Sequence, residues 1–210
     1  MDASGDGLGQ DVVIAGAIIA GGRARRMGGG AKFLERVAGR PILDHVIARA
    51  RPQCAPLLFN AATLPPGCDL PLVPDRWPGE GPLGGILSCL LHCGAHEAGV
   101  THLLSLSADT PFFPPELARR LVAVALDVPV SAAGGARRHA LFTLWPVTVA
   151  AELEQLFHEG ERSVNRALDR LCGKTAAFPA SPIDPFFNIN TPDDLAAANR
   201  LATQERAERR

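Results

Sequence analysis

The chain has 210 residues, with 21 Lys and Arg against 22 Asp and Glu, a formal net charge of -1, 47% hydrophobic residues and 20% charged ones. That length suits one domain with a core large enough to need no metal or disulfide staple, and the near-zero charge excludes bulk electrostatic attraction to nucleic acid or to a membrane surface, so any basic patch is a local feature. The odd set of five cysteines, Cys54, Cys68, Cys89, Cys93 and Cys172, contains no CxxC pair. They read as reduced, packed thiols; Cys89 and Cys93 lie one helical turn apart, but no second ligand pair follows at a metal-site spacing.

The first eleven residues are acidic and glycine-rich, without a basic n-region or an apolar h-region. They are expected to form a disordered leader rather than a secretion signal, and with no span near the roughly 18 apolar residues of a membrane helix the expected compartment is cytoplasmic. Val12 to Ala20 is a short uncharged run rich in β-branched residues, which predicts a strand buried on both faces. Gly21 and Gly22 end it. The following loop holds Gly28, Gly29 and Gly30 with Arg23, Arg25, Arg26 and Lys32. Glycines admit positive φ and bare N–H groups, and the cations supply charge, so this loop is a candidate phosphate cradle. It matches neither GxxxxGK[ST] nor GxGxxG, and a surface turn or an unspecific anion patch would have the same composition.

Beyond the loop, Phe33 to Val37 is expected as a short extended piece, residues 38–40 as a turn, and Pro41 as the start of a helix with Ile42, Leu43, Val46 and Ile47 on one face. Leu57 to Asn60 and Leu70 to Val73 are strand candidates, the first ending in Asn60 and the second running on to Asp75. Asp75 to Leu83 is a Pro/Gly-shaped loop leading into a helix to about His96, which Gly84 and Gly85 would leave open to a ligand. His92 and His96, at i and i+4, read as solvated or capping in the absence of a third ligand. Thr101 to Ser107 is the next strand, and Asp109 follows it, either as a Mg²⁺ ligand or as a cap for a helix over Pro115 to Ala125. Strands over Val128 to Ala132 and His139 to Leu144 flank a turn at Gly134 and Gly135. Arg137, Arg138 and His139 between them are solvent-facing hairpin charges or a second anion patch. Pro146 is expected to start a helix to His158, and Ser163 to cap one to Leu171. Short strands follow at Thr175 to Phe178 and around Phe186 to Ile189. Thr191 as N-cap, Pro192 at N1 and Asp193 and Asp194 in the first turn spell a helix to about Ala202.

Strands alternate with helices, so the expected class is α/β: three layers around a mostly parallel sheet with one antiparallel strand. Lys32, Asn60, Asp75 and Asp109 each follow a strand candidate and would share one rim if those strands are parallel neighbours. The expected organisation is a leader over 1–11, a single domain over 12–203 and a polar tail over 204–210.

The loop IAGGRARRMGGGAK, then Asn60, Asp75 before GPLGG at 81–85, DTPF at 109–112 and NINTP at 188–192 resemble, in this order, the motifs of the molybdenum cofactor guanylyltransferases, a nucleotidyltransferase family. The resemblance implies a Rossmann-like, GT-A-like nucleotidyltransferase fold and transfer of GMP from GTP to the terminal phosphate of Mo-molybdopterin, with Mg²⁺ as cofactor. It implies that Ala20, Gly21, Gly22 and Lys32 hold the nucleotide phosphates, that Asn60, Asp75 and Gly84 meet the guanosine, and that Asn188 and Asn190 line the pterin side. Lys32, Arg26 and Asp109 would be catalytic, with Asp109 on the metal. Molybdoenzymes or their chaperones are further partners it suggests. Ala31 departs from the family loop, which carries an acidic residue before its lysine. The alternatives are a cytidylyltransferase acting on the same pterin, disfavoured by IAGG and GPLGG, a sugar-phosphate nucleotidyltransferase, and a non-catalytic nucleotide-binding delivery partner, which Ala31 keeps open.

Overall fold

The computed structural model describes residues 11–21, 31–135, 137–179 and 184–208. The run ahead of the basic loop is strand β1, Ile14–Ile19, with only its first residue incompletely buried. The piece expected to be extended over 33–37 begins instead as a 3-10 turn at Lys32–Leu34, and only Arg36–Val37 (β2) pairs, antiparallel with Arg40–Pro41 (β3). Helix α1 (Ile42–Ala50) follows, then β4 (Leu57–Asn60), β5 (Leu72–Val73), α2 (Pro82–His96), β6 (His102–Ser107) and α3 (Leu117–Val122). The second half holds β7 (Val130–Gly134), β8 (Arg137–Pro146), α4 (Ala150–His158), α5 (Val164–Arg170), β9 (Lys174–Phe178) and α6 (Pro192–Glu208).

Seven strands form one sheet in the order β5-β4-β1-β6-β8-β7-β9. Strands β5, β4, β1 and β6 are mutually parallel, and β7 is parallel to β9. Strand β8 runs against both neighbours, which makes it the single antiparallel strand of the expected fold class. Side chains alternate across the sheet. Ala15, Ala17 and Ile19 of β1 join the core under α2, α4 and α5 with Leu83, Ile86, Leu90, Phe157 and Leu168. Ile18 faces the opposite core under α1, α3 and α6 with Leu43, Val46, Leu121 and Ala198. Burial on both faces explains why these strands read as continuous apolar runs, each large side chain contributing about 1.5–3 kcal/mol.

Three local expectations are corrected. Pro146 is the last residue of β8, opposite His102, and the helix starts at Ala150 after a 3-10 turn, because the fixed proline φ suits a strand end as well as a helix start. No strand forms around 186–189. That segment is held instead across to the loop after β6, Ile189 N donating to the Asp109 carbonyl at 3.0 Å. Helix α6 runs on to Glu208, beyond the end at Ala202.

One irregularity shapes the site. Ser131 and Ala132, adjacent on β7, pair with Thr143 and His139 of β8, so Ala140, Leu141 and Phe142 bulge out between them. The bulge is fixed by hydrogen bonds, from Ser105 Oγ to the Leu141 carbonyl at 2.8 Å and from Thr143 Oγ1 to the Ala140 carbonyl at 2.8 Å. Pairing of β8 with β6 stops at Ser105, which leaves the carboxyl end of β6 open on that side.

Candidate active site

From β1 the chain goes first to β4 and β5 on one side and later to β6 on the other. The switch between β1 and β6 is where an open α/β sheet leaves a crevice at its carboxyl edge. Gly21 stands after β1, Asn60 ends β4, Asp75 follows β5 and Asp109 follows β6, so the rim expected from the strand ends forms.

Asn60 is fully buried. Its Nδ2 donates to the Val73 carbonyl at 3.0 Å, tying β4 to β5, while Oδ1 has no partner among the described residues. The half-buried Asp75 accepts the Trp77 backbone N–H on Oδ1 at 2.9 Å. The glycines around these two groups have a purpose that differs from the one expected. A Cβ at Gly85 would lie 2.2 Å from Asn60 Oδ1, and one at Gly84 would lie 3.3 Å from Asp75 Oδ1. Both are buried in α2, and they make room for the Asn60 amide and the Asp75 carboxylate rather than only for a ligand. Gly21 completes the group, its Cβ position being 3.4 Å from Asn60 Oδ1 and 3.6 Å from Asp75 Oδ2.

On the other side of Gly21 is a cavity of about 280 Å³ lined by Ile19, Ala20, Gly21, Lys32, Asp109 and Asn190, among others. Asp109 Oδ1 accepts the buried Ser107 hydroxyl at 2.6 Å. Thr110, also buried, donates to Asn188 Oδ1, which fixes the 184–191 segment over the end of β6 together with the bond from Ile189 N. Lys32 Nζ donates to Asn190 Oδ1 at 3.1 Å across 158 residues of sequence. Asn190 is itself positioned by Asp194, whose Oδ2 accepts the backbone N–H groups of Asn190 and Thr191, each at 2.9 Å. The hydrogen bond from Asn190 first, then those from Thr191 and the nearby Lys32 charge, hold the Asp194 carboxyl below its ordinary range.

The structure thus brings Ala20, Gly21, Lys32, Asp109 and Asn190 around one cavity, with Asn60, Asp75 and Gly84 behind Gly21 and Asn188 two residues before Asn190 on the same segment. Gly22 and Arg26 lie outside the described residues, as do the other glycines and arginines of the loop. Sequence reading missed Ser107 and Thr110 as supports of the rim, although SLSADT places hydroxyls beside the aspartate. Asp194 was read only as a first-turn acid of α6. Among the described residues no group of three or more His, Cys, Asp or Glu side chains could cage a metal. Asp109 is the carboxylate of this rim that a divalent cation could use together with substrate phosphates and water. The His92 and Glu97 side chains meet at 3.5 Å, away from this rim.

A glycine backbone, a lysine and a carboxylate thus gather at the switch point of the sheet, where α/β enzymes of nucleotide chemistry take their ligands. Residues 16–175 match the MobA-like NTP transferase domain, and the chain belongs to that family. It is 43% identical over 201 residues to a molybdenum cofactor guanylyltransferase of Bradyrhizobium sp. (strain ORS 278), covering 91% of this chain and 94% of that one. It is 40% identical over 197 residues to a molybdenum cofactor guanylyltransferase of Rhodopseudomonas palustris (strain BisB5), covering 90% and 93%. The fold is also that of molybdopterin-guanine dinucleotide biosynthesis protein A from Archaeoglobus fulgidus, with a TM-score of 0.68 at 23% identity, covering 92% of this chain and 100% of that one. The protein is an enzyme, a nucleotidyltransferase.

Proposed function

We propose that the protein transfers GMP from GTP to the terminal phosphate of Mo-molybdopterin, giving molybdopterin guanine dinucleotide and pyrophosphate. The observation that carries this reading is the single cavity on which Gly21, Lys32, Asp109 and Asn190 converge from three distant segments. It is supported by the names of relatives at 43% and 40% identity over nearly the whole chain.

A phosphate monoester has its second pKa near about 6 and is largely dianionic at neutral pH, so the acceptor oxygen needs no protein base. The oxygen forms a bond to the α-phosphorus of GTP, the bond from that phosphorus to the oxygen bridging to the β-phosphate breaks, and its electron pair leaves with pyrophosphate. The barrier is the approach of two anions and the charge on the leaving group. Gly21 lets the triphosphate come close to the backbone, and Lys32, held by Asn190, directs a fixed positive charge at it. Asp109 is the residue that would hold Mg²⁺, its Oδ1 steadied by Ser107. The chemistry a bound Mg²⁺ supplies there is neutralisation of phosphate charge and alignment of the α-phosphate. Arg26 is assigned the same leaving-group role as Lys32. Asp75 can accept from the N1–H and amino group of guanine, a pair of donors cytosine lacks, with Asn60 and Gly84 shaping that end; Asn188 and Asn190 face the acceptor.

No helix among the described residues is long and apolar enough to cross a membrane. In this reading the enzyme works in the cytoplasm and hands its product to molybdoenzymes or their chaperones. The test is pyrophosphate release from the purified protein given Mo-molybdopterin and either GTP or CTP. Release with GTP and little with CTP is the expected result. A clear CTP preference would make the enzyme a cytidylyltransferase, and GTP binding without release would make it a delivery protein.

A further inference from the structure

Asp75 stands on the loop between β5 and α2, which belongs to neither strand nor helix and turns at Gly79 and Gly81, both at positive φ. Side chains from outside the loop hold it in place. Ser88, in the second turn of α2, is 1% exposed. Its hydroxyl donates to the Gly84 carbonyl at 2.8 Å, as a serine within a helix commonly does. The same oxygen accepts the backbone N–H of Arg76, the residue after Asp75, at 3.0 Å. One buried hydroxyl therefore joins the backbone beside Asp75 to the glycine whose missing side chain gives the Asp75 carboxylate its room. Two residues before Asp75, the Val73 carbonyl is held by Asn60.

The carboxylate itself is fixed separately. Oδ1 accepts the Trp77 N–H at 2.9 Å, which leaves Oδ2 towards Gly21. The Trp77 backbone depends in turn on its ring, which packs on the buried Phe157 with centroids 4.8 Å apart and meets His158 edge-on at 6.2 Å. The Trp77 carbonyl accepts the Glu80 N–H at 3.2 Å, and Glu80 is paired with Arg162 at 2.5 Å. Neither Ser88 nor Trp77 lines the cavity of Gly21, Lys32 and Asp109.

Resting on the guanylyl-transfer reading, we propose that Ser88 and Trp77 are positioning residues for base recognition: Ser88 sets the backbone on which Asp75 stands, Trp77 sets the rotation of its carboxylate, and the preference for a guanine nucleotide depends on both. Guanine offers two donors side by side, N1–H and the 2-amino group. Reading both at once needs the two carboxylate oxygens in the plane of the base, whereas Gly21 and Lys32, which meet the triphosphate, stand on other segments. A carboxylate free to rotate would still bind one donor or water, and would lose the penalty that an unmatched base meets at a fixed acceptor pair. Discrimination between bases therefore fails before affinity for the triphosphate does.

The experiment uses the full-length protein with Mg²⁺ and two readouts. One is calorimetric binding of GTP, of ITP, which lacks the 2-amino group, and of CTP, all without acceptor; the other is pyrophosphate release with Mo-molybdopterin and GTP each varied in turn. Ser88→Ala and Trp77→Ala are expected to weaken GTP binding about tenfold and CTP binding less than about twofold, so that the preference for GTP over ITP and CTP shrinks. The GTP KM should rise in parallel, with kcat and the acceptor KM within about twofold. Trp77→Phe keeps an aromatic ring on Phe157 and should retain most of the preference; the two Trp77 variants carry the test if the buried Ser88 variant does not fold. In an Asp75→Asn background, Ser88→Ala should cost GTP little more. Equal losses for all three nucleotides would mean that these side chains serve only the fold, and additive losses in the Asp75→Asn background would mean that they act elsewhere; either overturns the proposal. So does a wild-type preference for GTP that survives both alanine variants. A wild type that binds GTP over CTP but releases no pyrophosphate defeats the proposed function alone, and loss of that preference in the variants then still upholds the positioning role. A wild-type preference for CTP defeats both.

Discussion

The two sides of the cleft are built on different physical terms. On the parallel side, β5, β4, β1 and β6 all end at one edge, so sheet topology alone delivers Asn60, Asp75, Gly21 and Asp109 to the same rim. The groups there are short, held by backbone and buried hydroxyls: Asn60 by the Val73 carbonyl, Asp109 by Ser107. On the other side β8 runs backwards and can offer no strand end of that kind. It contributes from within the strand, through a bulge, and its chemistry comes from long cations partly exposed to solvent, the Arg138 and Arg162 side chains being 26% and 38% exposed. A ligand on the first side would be fixed by shape in low-dielectric surroundings, where displacing one atom is costly. The other side offers charges that can adjust, and each of the ion pairs they make adds little to stability by itself.

That contrast can be broken by substitution, and the largest effect is expected on the parallel side. Asp109→Ala should lower kcat for pyrophosphate release by about 10²–10³ with the fold intact, the scale of losing a group that stabilises transition-state charge. A loss under tenfold would show that the rim carboxylate is not the metal-bearing group. Gly85→Ala comes next: its Cβ position is 2.2 Å from Asn60 Oδ1, so the amide or helix α2 must shift, at about 1–3 kcal/mol of stability read as a lower urea midpoint. Full stability in that variant would show that the parallel side yields as easily as the other.

Asp194→Asn sharpens the comparison at the join between the sides. It removes the charge that holds Asn190 and Thr191, so stability should fall by about 1 kcal/mol, as for a lost helix cap, and kcat/KM by a few-fold as Lys32 loses its anchor. Asp194→Glu should recover part of the activity. The smallest effect belongs to Glu161, in the turn between α4 and α5. Hydrogen bonds from the Arg166 side chain first, then from the Ser163 and Arg162 backbones, hold its carboxyl down to about 2. A depressed carboxyl stabilises the fold above its ordinary range, and the contribution is lost as pH falls from that range towards about 2. Glu161→Gln should therefore lower stability modestly near neutrality and flatten its acid limb, the two proteins converging as pH falls towards about 2. An unchanged acid limb would show that this turn is held by its backbone alone.

Much of the nucleotide side was legible in the sequence because its signals are local. An apolar run ending in glycines gives β1 and Gly21, and a polar residue at or just past the end of a buried run gives Asn60 and Asp109. The Ser163 cap is where its residue type places it, accepting from Arg166 N. So is the Thr191 cap, its Oγ1 accepting from Asp194 N at 3.1 Å. The β8 side was not legible. Arg137, Arg138 and His139 read equally well as hairpin charges or as an anion patch, since nothing local tells that β8 inserts between β6 and β7. The segment 186–189 looked like a strand from its apolar residues but is anchored by contacts to the loop after β6, roughly 80 residues earlier in the sequence.

The sequence by itself determined the alternating elements, the residue types at the strand ends and the family to which the chain belongs, because periodicity, glycine and cap chemistry act over a few residues. Only the tertiary structure decided that the single antiparallel strand of the sheet opens a basic cavity beside the one lined by Gly21, Lys32 and Asp109. It also gave the glycines of α2 their role of sparing Asn60 and Asp75. The same holds for Ala31. The loop lacks the acidic residue before its lysine, and Lys32 is instead held by Asn190, itself fixed by Asp194. Pairing across such distances depends on which strands become neighbours, and that is settled by the packing of the whole sheet rather than by any stretch of the chain.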